Sequence, residues 1–382
     1  MPTFAYFLST TGDPIDRDHP LWHRSLPQGR AAGSTPSDAA GIPGVTYGTY
    51  FSSILSFCAA DGWSRMRNAL GIKLSRPIAD AELKHLAVFL EKHGAYYHPA
   101  RLQVSLEDRT VSFVVNVAAS PAGRRTLPVE VQVINRLARQ CPFGWFPRLY
   151  DAVFDDLPMV LGDWFDGFHE FHLSRQFGGD EPAIVVWNGA AHPCPLSDRQ
   201  AAGLYRNAAM ILTACYDPIS TCQIFPWHHA AGDFVVCTTG ERSAVRLITV
   251  RDYPPIAESA TEPNNERTLM DALVFFFIHL SVRMRLDRLD GVGDIAWAPA
   301  SCLVPLIEGF FQGLDLSARL NGLPETFPEA FRHYFNRYDR TALLTTAQRI
   351  TASVFDRHSE ERRVTRMHQD RHMREIRRLL AA

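Results

Sequence analysis

Residues 222–253 read CQIFPWHHAAGDFVVCTTGERSAVRLITVRDY. Two apolar runs, Phe234-Val235-Val236 and 245–250, flank the polar turn Thr238-Thr239-Gly240-Glu241-Arg242, a pattern that predicts a β-hairpin. The loop before it, 226–233, holds Trp227, His228, His229, Gly232 and Asp233. Polar side chains crowded into a short loop ahead of a buried strand make a candidate functional site, because rigid flanking elements can aim them.

Outward from this hairpin, the chain of 382 residues is long enough for one large domain or two lobes. It is 46% hydrophobic and 21% charged, as in ordinary globular proteins. A net charge of -2 provides no broad field to attract nucleic acid or a membrane, and neither is expected as a partner. Cys58, Cys141, Cys194, Cys215, Cys222, Cys237 and Cys302 are odd in number and scattered, without a C-x-x-C pair. They predict free thiols in a reducing compartment. The N-terminus has no basic segment followed by an apolar run, so no signal peptide is expected, and the location expected is cytoplasmic. The most apolar run, 272–278, is too short to span a bilayer and predicts a buried helix with Phe275, Phe276 and Phe277 in the core.

In chain order, residues 1–45 read as an irregular N-terminal arm rich in Pro, Gly, Ser and Asp. Residues 47–60 and 80–93 predict helices, the second with Asp80 as N-cap and Gly94 after its last turn. Residues 101–107 and 110–118 predict an antiparallel hairpin, and 127–140 a helix with Pro128 in its first turn. Residues 147–154 and 157–161 predict two more strands, ending at a polar bend, Gly162-Asp163-Trp164. After a Gly- and Pro-rich loop, 197–216 predicts a helix capped by Ser197. Beyond the hairpin the chain reads as helical throughout: 266–288, 300–314, 329–338, and a basic helix from about Thr346.

This order resembles the protein-kinase-like fold, in particular the aminoglycoside phosphotransferase and choline kinase branch. LPVEVQVINRLARQCPFGWFPRLYDAV resembles the helix that carries the lysine-pairing glutamate and the strand after it. MVLGDWFDGFHEFHL resembles the last small-lobe strand, the hinge and the following helix. PWHHAAGDFVV stands where the family has H-G-D-x-H-x-x-N before an apolar strand, and VRLITVRDY where it has a strand ending in a metal-binding aspartate. The resemblance covers roughly 101–314. It implies an α+β, two-lobed fold: a small lobe of antiparallel sheet plus helix over 46–161, and a larger helical lobe over 162–382 that holds the hairpin 222–253.

What the resemblance implies for the site is a degenerate set. Asn116 stands where the family has its strand lysine and cannot supply that cation to the phosphates. Glu130 matches the lysine's partner. Aligning the apolar strands puts His228 at the catalytic aspartate, Asp233 at the metal-binding asparagine and Thr249 at the second metal-binding aspartate, with Asp252 three residues on. Catalytic candidates are therefore His228 and Asp233, metal candidates Asp233 and Asp252, and nucleotide-binding candidates Asn116 and Glu130. Each also has a plainer reading. Asp233 reads equally as a turn aspartate, His228 and His229 as loop histidines bonded to backbone, Asp252 as a strand-end residue, and Glu130 as a first-turn carboxylate. The cluster His169-Glu170-Phe171-His172 lacks zinc-motif spacing and reads as part of the hinge helix. Residues 283–293 alternate charge at helical spacing, with pairs such as Arg283–Asp287 and Arg285–Asp287, some of them expected to be buried and paired. The run 357–378 mixes Arg and His with acids, as an exposed helix does, without forming a nucleic-acid stripe.

Two functions follow from the resemblance. One is a pseudokinase-type module that binds a small ligand or a protein partner. The other is an atypical phosphotransferase acting on a small molecule with ATP and Mg²⁺.

Overall fold

A computed structural model describes residues 2–9, 12–28, 41–177, 181–188, 193–228, 232–256 and 266–381. Among these the architecture is α+β, with eight α-helices and several sheets, one of them six-stranded and mixed. The residues divide into two units, 1–135 with 147–166, and 136–146 with 167–382.

The first unit opens with β1 (Thr3–Phe7) and the pair β2 (Ser25–Pro27) and β3 (Gly41–Thr46). The N-terminal arm is therefore not irregular throughout. Tyr6 is buried, and β1 pairs in parallel with a strand far along the chain, which no local pattern announces. The helix expected from Tyr47 is α1 (Tyr47–Leu74), capped by Thr46, whose Oγ1 accepts from the Thr49 N–H at 3.1 Å. It breaks at Ala60 and at the positive-φ run Asp61, Gly62 and Trp63.

The helix expected over 80–93 is absent. Asp80–Glu82 makes one 3-10 turn, and His85–Leu90 is strand β4. β4 lies between β1 and β5 (His98–Ser105), and Leu86, Val88 and Leu90 enter the core at alternate positions. Pairing on both edges outweighs the local helical spacing, as tertiary context commonly does. The expected hairpin is formed by β5 and β6 (Thr110–Val117). α2 (Pro121–Gln140) starts at Pro121, earlier than Leu127, with Pro128 inside it. β7 (Leu149–Val153) and β8 (Met159–Asp163) complete the sheet, in the order β1-β4-β5-β6-β8-β7. Gly162 and Asp163 are paired strand residues, not a bend. Phe51, Ile54 and Leu70 of α1 pack with Leu102, Phe113, Val115 and Leu161 in the core of this unit.

In the second unit, residues 169–172 are not helical. Glu170–Ser174 is β9, in a sheet with β10 (Ala183–Trp187) and β11 (Cys194–Pro195). Phe171, His172, Leu173 and Ser174 are all buried, so no alternation exposes the strand in the sequence. Ser197 caps α3 (Asp198–Ala214) as expected, in a reciprocal box with Gln200. β12 (Phe234–Thr239) and β13 (Arg242–Leu247) form the expected hairpin, with β13 earlier in register than the run 245–250 suggested.

α4 (Glu266–Arg283) stops short of Arg288. A small hairpin follows, β14 (Leu286–Arg288) and β15 (Ile295–Trp297), so the C-terminal part is not all helix. The expected pairing of Asp287 with Arg283 and Arg285 is not made. Asp287 accepts the Leu173 N–H at 2.5 Å, while the Arg285 guanidinium donates to Ala298 O at 2.6 and 2.8 Å. Both side chains are buried, as expected for part of this charged segment. α5 (Leu303–Leu320), α6 (Phe327–Phe335), α7 (Arg340–Val354) and α8 (Glu360–Ala381) complete the unit. Phe277, Phe310, Phe331 and Phe335 are buried together between α4, α5 and α6. No helix among the described residues is long and apolar enough to cross a membrane.

Candidate functional site

Pairing of Phe234 with Leu247 sets the loop ahead of β12 beside the chain that leaves β13. Two backbone bonds hold them: Ile248 N–H donates to Asp233 O at 2.8 Å, and Phe225 N–H to Asp252 O at 3.2 Å.

Asp233 is the centre of this region, with 1% of its surface exposed. Its Oδ2 accepts the His228 backbone N–H at 2.8 Å, and its Oδ1 accepts the Thr249 hydroxyl at 2.8 Å. Arg251 adds two parallel bonds, Nη1 to Oδ2 at 2.6 Å and Nη2 to Oδ1 at 2.5 Å. This is the bidentate fork in which planar guanidinium matches planar carboxylate. Burial pushes the Asp233 carboxyl up, but the Arg251 charge and the bonds from Arg251, His228 and Thr249 outweigh it. They hold the group below the usual carboxylate range.

A second guanidinium flanks the cluster. Arg283 lies over the rings of Phe225, Trp227 and Phe355, at 5.4, 5.8 and 5.4 Å. Burial lowers it to about 10, against the attraction of Asp233 and Glu361. The same surroundings act on His228, which burial and then the Arg283 charge push down to about 4. The imidazole is thus neutral at pH 7.

His228, Asp233 and Thr249, the three positions aligned on the family's catalytic and metal residues, do converge. Asp252 does not join them: it is exposed, and its carboxylate accepts the Tyr253 N–H at 2.7 Å. His229 lies outside the described residues. Asn116 and Glu130 belong to the first unit. Asn116 is half-buried on β6 between Pro99 and Val160, and Glu130 is buried on α2, where its carboxylate accepts the Tyr97 hydroxyl. A first-turn glutamate in solvent is therefore not what Glu130 is. The first unit also holds a cation that the motif reading missed. Lys73 on α1 donates to Ser112 O and Asp163 Oδ1, both at 3.0 Å. Arg251 was missed as well. The available signal was its spacing from Thr249, since residues two apart in extended chain point to the same side.

As arranged, these groups do not fit a divalent cation. Hard ions require carboxylate oxygens open to them. Both oxygens of Asp233 are taken, Thr249 brings no charge, and Asp252 is elsewhere. Among the described residues no group of three or more His, Cys, Asp or Glu side chains is placed to hold a metal. The chain matches no family model and no curated protein.

Proposed function

We propose that this chain is a degenerate kinase-like protein, a module that binds a small ligand or a protein partner without transferring phosphate. One observation carries the reading: the Arg251 guanidinium holds both oxygens of Asp233, at the position where the resemblance calls for a metal ligand. A fixed internal cation replaces a mobile external one. Phosphoryl transfer depends on metal ions that bridge and neutralise the phosphates, and a guanidinium locked onto its own carboxylate cannot do this. The element order supports the kinase-like part of the reading. The run β5, β6, α2, β7, β8, and later α3, a loop and the β12–β13 hairpin, follows the order on which the resemblance rests, except that β9, β10 and β11 stand where it calls for a helix after the hinge.

The other reading, an atypical phosphotransferase with ATP and Mg²⁺, requires Arg251 to leave Asp233 so that the carboxylate can meet the metal. Calorimetry of the full chain with ATP, with and without Mg²⁺, tests the choice. We expect no Mg²⁺-dependent binding. Saturable Mg²⁺-dependent ATP binding that Asp233→Asn abolishes would overturn the module reading.

A further inference from the structure

The arginines in the middle of α8 are paired with acids. Arg371 is paired with Glu375 at 2.9 Å, Arg374 with Asp370 at 3.2 Å, and Arg340 of α7 with Asp370 at 2.9 Å. At the start of the helix the balance differs. Glu361 is taken by Arg288 at 3.2 Å, and Glu360 pairs with Arg363 at 3.3 Å. Among the described residues Arg357, Arg362 and Arg366 have no carboxylate partner. All three line one open cavity of about 390 Å³, together with His358, Arg363 and Met367.

From this cavity we propose a binding site for a small ligand carrying two or more phosphoryl groups, at the junction of α7 and α8. Three unpaired guanidiniums around one hollow call for several negative charges at short spacing, which a single carboxylate or sulfate does not supply. Arg362 and Arg366 lie one helical turn apart, so both reach the same side of α8. The Arg362 Nε–H is buried with no hydrogen-bond partner, so no internal acceptor holds that edge of the guanidinium. Guanidinium forks suit phosphate geometry. Met367, 68% exposed, offers an apolar wall for the rest of the ligand. Arg377 and Arg378 also have no carboxylate partner among the described residues, but the pairing of Arg371 and Arg374 separates them from this cavity, so unpaired charge does not run along the whole helix as an extended polyanion needs. The proposal does not depend on the function proposed above.

The test uses the full chain and tripolyphosphate as probe, by calorimetry at fixed ionic strength, with sulfate as the comparison anion. We expect saturable binding that sulfate does not match. The double variant Arg362→Gln/Arg366→Gln should weaken it at least tenfold. Arg377→Gln/Arg378→Gln, which removes the same charge further along the helix, should change it less than twofold. Arg366→Gln alone, at an exposed position, should weaken binding measurably with an unchanged melting temperature. The proposal is overturned by absence of saturable binding, by equal loss in the two double variants, or by sulfate binding as tightly. It is also overturned if phosphatidylserine vesicles or single-stranded RNA bind through these arginines and tripolyphosphate does not.

Discussion

Arg251 grips Asp233 through two nitrogens, at 2.6 and 2.5 Å, with the carboxylate almost wholly buried. A carboxylate in that position depends on its partner. Removing one member of a buried ion pair leaves an uncompensated charge, at a cost of about 3–5 kcal/mol. Arg251→Gln should therefore destabilise the protein by about 3 kcal/mol in chemical denaturation. Asp233→Asn should lower the melting temperature clearly. A loss under about 1 kcal/mol in both variants would mean that the pair contributes little and opens readily.

Acid should act on this protein well above the carboxylate range. Burial, then Arg283, lowers His228 to about 4, and burial holds His279 and His372 well below their ordinary value. Unfolded, each takes up a proton near pH 6.5. The folded state resists protonation, so stability is complete above about pH 6.5 and falls as the pH drops toward 4. The slope approaches about 1.4 kcal/mol per pH unit for each histidine. Asp233, held below the usual carboxylate range, adds a further loss below about pH 4. Urea midpoints between pH 7 and 5 check this. A flat profile would show that these imidazoles are protonated in the folded protein.

Phe276 is the simplest core test. It is 2% exposed on α4, and its ring stacks on Tyr216 with centroids 4.5 Å apart. Phe276→Ala removes the ring from a close-packed interior and should cost about 3–5 kcal/mol. The readout is the denaturation midpoint at constant slope.

The elements that could be read from the sequence are those whose signal is local. Ser197 announces α3 because cap and helix are contiguous, and the turn 238–242 announces the β12–β13 hairpin for the same reason. What could not be read depends on distant partners. β4 carries helical spacing and became a strand because β1 and β5 pair with it on either edge. β9 is buried on both faces, so it shows no period of two. At the site, the meeting of Asp233 with the chain after Leu247 follows from the hairpin and was legible. The role of Arg251 was not, because the motif comparison asked only which residues match metal ligands. An arginine that neutralises the same carboxylate matches none of them.

A last test concerns the segment read as a charged helix that folds instead into β14, a turn and β15. Gly291 in this turn has φ +77°, and a Cβ there would lie 2.8 Å from His172 Nε2 and 2.9 Å from its Cε1. The ring cannot retreat easily. His172 is buried on β9, with Nδ1 3.6 Å from Asp287 Oδ1, and Asp287 is itself tied to the Leu173 N–H. Gly291→Ala thus combines left-handed strain with overpacking, each worth roughly 1–3 kcal/mol. Gly322 provides the comparison. Its φ is +68°, and nothing lies within 4 Å of the added Cβ. Gly322→Ala should cost only the backbone part, on the order of 1 kcal/mol. Gly291→Ala should therefore be at least about 1 kcal/mol worse in urea denaturation, the difference being the contact with His172. Equal losses in the two variants would show that the His172 ring moves aside freely, and the tight packing of β9 on this turn would have to be given up.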